Sequence, residues 1–142
     1  MSTRIWRKPT DIAEMNARAE GTAVGHLGIT MTEIGPDFLR AEMPVEARHV
    51  QPFRLLHGGV SVVLSETLGS LGCYLTLPEG QRCVGIEVNA NHLASVPEGD
   101  RVTAECRPIH QGRSIHVWQT EIRRSDGRLA CVSRLTCSVL EG

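Results

Sequence analysis

His57-Gly58-Gly59-Val60-Ser61-Val62-Val63-Leu64-Ser65-Glu66-Thr67-Leu68-Gly69-Ser70-Leu71 is the stretch that decides how this chain folds. Val60, Val63, Leu64, Leu68, Leu71 and Leu75 recur at helical spacing, and the small residues between them leave hardly any polar face. The pattern predicts one long buried helix from about His57 to Leu77, closed by Pro78-Glu79-Gly80. Glu66 falls midway along it, where a carboxylate is expected to be desolvated. Groups held that way are frequent at functional sites, because burial shifts their protonation chemistry. The alternative is an ordinary glutamate, solvated or ion-paired on a core helix.

The two glycines that open the helix bear on that choice. Gly58 and Gly59 can present bare backbone N–H groups at a helix N-terminus, where the first amides lack intrahelical acceptors and the dipole favours negative charge. A carbonyl oxygen becoming an oxyanion is stabilised by such donors. Gly58 and Glu66 lie eight residues apart, ~12 Å along a helix axis, too far to hold one small reacting group. If both serve one reaction, Gly58 of one chain faces Glu66 of another. A two-fold homodimer with paired central helices creates two such sites.

The rest of the composition narrows the possibilities. A chain of 142 residues is expected to form a single domain with one good core. Its 15 Lys and Arg against 16 Asp and Glu give no argument for nucleic acid or an anionic membrane as partner. Met1 to Thr10 is basic but lacks the apolar run of a signal peptide, and the apolar stretch Val60 to Leu77 is broken by Glu66 and hydroxyl residues, so a cytoplasmic protein is expected. Cys73, Cys83, Cys106, Cys131 and Cys137 contain no Cys-x-x-Cys pair and read as small core residues in a reducing compartment. His26, His49, His57, His92, His110 and His116 show no metal-ligand spacing, so no metal is expected.

Around the helix the elements are short and regular. Asp11 to Ala19 reads as an amphipathic helix with Thr10 as cap and with Ile12, Met15 and Ala19 on one side. His26 to Ile34 and Phe38 to Val45 read as strands separated by Gly35-Pro36-Asp37, and Glu46 to Leu56 as a loop carrying His49, Gln51 and Pro52. Four further strands follow: Arg82 to His92, Arg101 to His110, Ser114 to Arg124 and Arg128 to Leu140. Alternation shows in Val84, Ile86 and Val88 and again in Val102, Ala104 and Cys106. The expected fold is α+β: an antiparallel sheet curled around one long helix.

Several of these segments resemble a known family. His49-Val50-Gln51-Pro52-Phe53, Leu55-Leu56-His57-Gly58-Gly59 and Ser65-Glu66-Thr67-Leu68-Gly69-Ser70 closely resemble hotdog-fold acyl-CoA thioesterases of the branch that holds the Arthrobacter-type 4-hydroxybenzoyl-CoA thioesterases. The likeness extends over Ile5-Trp6, Val84-Gly85, Asn89-Ala90-Asn91-His92, Ile109-His110 with Gly112, and Ser133-Arg134-Leu135. Within the branch it reaches the 1,4-dihydroxy-2-naphthoyl-CoA hydrolases and the enterobactin proofreading thioesterases. The resemblance implies that the Gly58 N–H, assisted by Gln51, polarises a thioester carbonyl, and that Glu66 of the facing subunit attacks it or activates water. It further implies that His57 holds the thioester end, Ser70 orients the carboxylate or the water, His92 lines the acyl pocket, and Arg113 and Ser114 touch the CoA phosphates. A tetramer built as a dimer of dimers is implied, with no cofactor.

Each residue has a plainer alternative. His57 is otherwise a helix cap, Ser70 a small residue against the sheet, Gln51 a loop tie, His92 a satisfied strand-end polar group, and Arg113 a solvated turn residue. Arg54 and Ser65 stand where relatives usually carry Gly and Ala, and Ala94 where the naphthoyl-CoA hydrolases tend to carry Arg. The expected activity is hydrolysis of acyl-CoA thioesters, with aromatic acyl groups favoured and an acyl-carrier thioester left open. Two other activities compete. One is a hotdog enoyl-thioester hydratase or dehydratase, against which Gln51 and His57-Gly58-Gly59 argue. The other is a non-catalytic acyl-CoA-binding protein, which would normally lack the helix carboxylate.

Overall fold

The computed structural model describes residues 3–141. In chain order the elements are α1 (Ile12–Ala19), α2 (Ala23–His26), β1 (Thr30–Ile34), β2 (Leu39–Pro44), a 3-10 turn at Ala47–His49, α3 (Gly58–Thr76), β3 (Gln81–His92), β4 (Arg101–Gln111), β5 (Ile115–Arg124) and β6 (Leu129–Glu141). The six strands form one sheet in the order β1-β2-β4-β5-β6-β3, and every neighbouring pair is antiparallel. α3 packs across β2 to β6, so the sheet curls around the helix as the apolar pattern requires. This is the expected α+β architecture.

The core sits between α3 and the concave face of the sheet. Leu64, Leu68, Cys73 and Leu75 from the helix meet Leu39, Met43, Val102, Trp118, Ile122 and Leu135 from the strands. Full burial of each large aliphatic side chain is worth about 1.5–3 kcal/mol, so this seam dominates the fold's stability. Gly69 and Gly72 let the helix approach closely: a Cβ on Gly72 would lie 2.7 Å from the Trp118 ring, and one on Gly69 2.8 Å from Leu135. Trp118 also stacks on Trp6, with ring centroids 6.0 Å apart, and Trp6 Nε1 donates to the Gly35 carbonyl. Lys8 then anchors the N-terminal segment, its buried ammonium donating to the carbonyls of Tyr74, Leu77, Pro78 and Gln81, which run from the last turn of α3 to the start of β3.

Four details differ from the sequence expectations. Asp11, not Thr10, caps α1, its carboxylate accepting from the Glu14 N–H. His26 closes the short helix α2 rather than opening a strand, because Gly28 at φ +67 turns the chain before β1 begins at Thr30. In β3 a bulge between Gly85 and Glu87 breaks the alternation expected for Val84, Ile86 and Val88. Val84 and Ile86 are exposed at 47% and 57%, whereas Val88 is half-buried against the core.

The fourth concerns α3 itself. Its residues are apolar nearly all round, but one sheet covers only one side of a helix. Ser61, Leu64, Ser65, Leu68, Gly69, Gly72 and Cys73 are buried, while Val62, Val63, Glu66, Thr67 and Ser70 are only half-buried. Within one chain Glu66 is therefore only half-buried, not enclosed as expected.

Candidate active site

The start of α3 is built by its own loop. His57 is the N-cap, in extended backbone, and its Nδ1 accepts from the Gly59 N–H at 2.9 Å. With Nδ1 occupied as acceptor, the neutral ring carries its proton on Nε2, which is left to donate outward. Gly58 is the first helical residue, so its N–H has no acceptor within α3. The loop is fixed from behind by His49, which is wholly buried. Its Nδ1 accepts from the Glu46 N–H, its Nε2 meets the Leu27 carbonyl at 2.7 Å, and its own carbonyl accepts from the His57 N–H.

Gln51, Gly58 and His92 line one cavity of about 350 Å³, together with Leu56, Ser61 and Ala94. His92, at the end of β3, lies directly over Gly58: a Cβ there would come within 2.8 Å of its Nε2. Only a residue without a side chain leaves that space clear. The Gln51 side-chain oxygen accepts from the Phe53 N–H, which orients the amide and leaves its NH2 group as a donor. The loop-tie reading of Gln51 is thus met, and the group retains its other end. At the tip of the same loop, Arg54 takes a positive φ of 64° and pairs with Glu98.

Glu66 and Ser70 lie elsewhere. The Glu66 carboxylate rests on Gly85 of β3, where a Cβ would stand 2.8 Å from Oε2, and no hydrogen-bond partner engages it among the described residues. Ser70 is one turn further on, half-buried, its carbonyl 3.7 Å from Cys83 Sγ. Gly85 pairs with Cys137 on β6, which pairs with His116 on β5, so Glu66 lies toward the end of the sheet that carries the β4–β5 turn. Arg113 and Ser114 are exposed in that turn. His92 pairs instead with Cys131, which pairs with Ile122. Seven residues of strand, roughly 20 Å, separate the two groups. Within one chain the candidate residues therefore fall into two separate groups: Gln51, His57, Gly58 and His92 toward one end, and Glu66, Ser70, Arg113 and Ser114 toward the other.

Sequence reasoning missed two features. Gly85 makes room for the carboxylate, and its signal was a glycine inside a strand pattern. The second is a cluster: Cys73, Cys83 and Cys137 converge, although nothing in their spacing joins them. Hydrogen bonds from Cys137 and Cys73 push the Cys83 thiol well below its ordinary value. Cys106, wholly buried in the core, is pushed by burial up to about 12. A second cavity, of about 460 Å³, opens between α1 and α3 and is lined by Met15, Val24, Ile29, Met31 and Leu71, with Thr67 at the margin nearest Glu66.

Comparison with known proteins points to one family. A model of the thioesterase superfamily matches residues 53–131. The chain is 49% identical over 136 residues to the 1,4-dihydroxy-2-naphthoyl-CoA hydrolase of Escherichia coli, covering 96% of this chain and 99% of that one. It is 46% identical over 136 residues to the proofreading thioesterase EntH of Cronobacter sakazakii, covering 96% and 98%. The crystal structure of a Haemophilus influenzae thioesterase matches the fold with a TM-score of 0.93 at 49% identity, covering 96% of this chain and 95% of that one.

Proposed function

The chain belongs to the thioesterase superfamily, with the hotdog fold, and is a thioester hydrolase; from this we propose that it hydrolyses aromatic acyl-CoA thioesters at sites shared between two subunits. The observation that carries the proposal is the split of the site into two halves on opposite stretches of β3 and α3. β3 is an edge strand of twelve residues with Val84 and Ile86 exposed, and a long exposed edge of that kind normally acquires a partner. Antiparallel pairing of two β3 strands about an axis near Val88 and Asn89 sets Gly85 of one chain opposite His92 of the other. Glu66 of one chain then faces Gly58 of its partner, and the open side of both helices is covered.

Within such a site the roles follow from chemistry. The Gly58 N–H and the Gln51 amide donate to the thioester oxygen as it gains charge. Glu66 attacks the carbonyl carbon, or takes a proton from the water that does; in both cases thiolate leaves and the acid forms with one water consumed. His57 steadies the thioester, Ser70 the carboxylate or water, and His92 borders the acyl group. Arg113 and Ser114 lie on the Glu66 side, where an extended CoA would run. The name of a relative that acts on 1,4-dihydroxy-2-naphthoyl-CoA supports an aromatic acyl group.

The deciding experiment is thiol release from benzoyl-CoA, 1,4-dihydroxy-2-naphthoyl-CoA, hexanoyl-CoA and a dihydroxybenzoyl carrier protein, with wild type beside Glu66→Gln and Glu66→Ala. Aromatic turnover is expected to fall by about 10²–10⁴-fold in both variants with the fold intact. Turnover indifferent to Glu66 sinks the mechanism, and preference for hexanoyl-CoA sinks the substrate class.

A further inference from the structure

Beneath the half-site that carries Glu66, three thiols meet from three separate elements. Cys73 on α3, Cys83 on β3 and Cys137 on β6 hold their sulphur atoms all within 4.8 Å of one another. Cys73 and Cys137 are fully buried and Cys83 half-buried. We propose that these three cysteines form a binding site for a soft, thiophilic metal ion of the monovalent copper class, held by three sulphur ligands.

The geometry favours an ion over a disulfide between the strands. Cys83 pairs with Val139 and Cys137 with Gly85, so the two cysteines are diagonal neighbours on β3 and β6. Diagonal positions lie ~7 Å apart, beyond the ~4 Å that a disulfide's Cβ atoms require. Three sulphurs around one ion at a bond length of ~2.3 Å stand ~4 Å from each other, close to the spacing already present. Ligand type selects the metal: thiolates prefer soft ions, and no histidine or carboxylate joins the group among the described residues. Structural zinc takes four ligands, whereas monovalent copper is satisfied by three. The position also matters, because Cys83 touches the Ser70 carbonyl and Cys137 pairs with the glycine on which Glu66 rests.

The test is an anaerobic titration of the whole chain with monovalent copper in competition with bathocuproine disulfonate, followed by sulphur-to-copper charge-transfer absorption in the ultraviolet. One ion per chain is expected, with loss of both the uptake and the band in Cys83→Ala, the least buried member, and retention of both in Cys106→Ala. Uptake no stronger than that of Cys83→Ala, or equal loss in Cys106→Ala, overturns the site. Copper occupancy is also expected to slow thioester hydrolysis in wild type but not in Cys83→Ala. That second readout rests on the function proposed above, whereas the spectroscopic one does not, so failure of either is recognisable separately.

Discussion

The two ends of the candidate site are built by opposite means. At the start of α3, the Gln51 carbonyl is tied to its loop, His57 caps the helix, and His92 closes over Gly58, all within one chain. Halfway along the same helix, Glu66 lies half-exposed on Gly85, with Ser70 one turn further on. The helix-start end is fixed by local contacts, whereas the stretch around Glu66 is left half-open within one chain. Under the function proposed above, such a division couples assembly to activity: the groups that bind the substrate oxygen would be in place at once, while the attacking group would gain its low-dielectric setting only when a second copy arrives.

The sharpest way to break the contrast is at Gly58. Proline is tolerated as the first residue of a helix, and His57 already has the extended backbone (φ −65°, ψ 130°) that a following proline demands. Gly58→Pro therefore removes the N–H donor while leaving α3 able to start. Gly58→Ala keeps the donor and adds only the Cβ that crowds His92. Loss of an oxyanion donor costs about 10²–10³-fold in kcat, so Gly58→Pro is expected to fall by that much further than Gly58→Ala. Equal losses in steady-state kinetics would assign the effect to crowding of His92 instead.

Mixing tests the division itself. Glu66→Gln and Gly58→Pro chains, co-refolded, are expected to regain about a quarter of wild-type activity, since half the dimers are mixed and each mixed dimer holds one intact site. Sites contained within single chains would regain nothing. At the open end, Gly85→Ala pushes a methyl group to 2.8 Å from Glu66 Oε2. The carboxylate must move by a fraction of an ångström, and a fall of about tenfold in kcat with little change in KM is expected. A change confined to KM would detach Gly85 from the carboxylate's placement.

How much of this was legible beforehand follows from which interactions are local. The helix, the strands and their turns were readable because apolar spacing and glycine-proline punctuation act over a few residues. Helix rise says only that Gly58 and Glu66, if they serve one reaction, must come from different chains, since ~12 Å of axis cannot be bridged. The bulge in β3 was not readable, because it depends on register against β6, and it reversed the faces expected for Val84 and Ile86. The exposure of Glu66 was misjudged for a related reason: sequence shows that a helix is apolar all round, but not how many layers cover it. The cysteine cluster was invisible because Cys83 and Cys137 meet only through that same ladder and Cys73 only through helix packing.

Smaller effects bear on the scaffold rather than the chemistry. Lys8→Met leaves the carbonyls at the end of α3 without their shared donor in a buried place, and about 1–3 kcal/mol of stability is expected to be lost by urea denaturation. Activity per folded chain should hold, because the candidate catalytic residues lie nearer the helix start and middle. Ser65→Ala runs the other way. Its hydroxyl is buried without a hydrogen-bond partner among the described residues, so its removal is expected to raise stability by about 1 kcal/mol, read as a higher melting temperature.

Arg54→Gly is the finest probe of the preorganised end. Arg54 holds φ at 64°, a left-handed conformation that costs a side-chain-bearing residue about 1 kcal/mol and glycine almost nothing. Set against that relief are the loss of the exposed pair with Glu98, worth about 0–1 kcal/mol, and the greater freedom of glycine in the unfolded chain. These contributions nearly cancel, and a stability change within about 0.5 kcal/mol is expected. The loop conformation itself should persist, since the Arg54 N–H donates to the Gln51 carbonyl and the Arg54 carbonyl accepts from the Glu98 N–H, contacts glycine keeps. Hydrolysis is therefore expected to be unchanged; a fall in kcat in Arg54→Gly would mean that the Arg54–Glu98 pair, and not the backbone alone, positions Gln51.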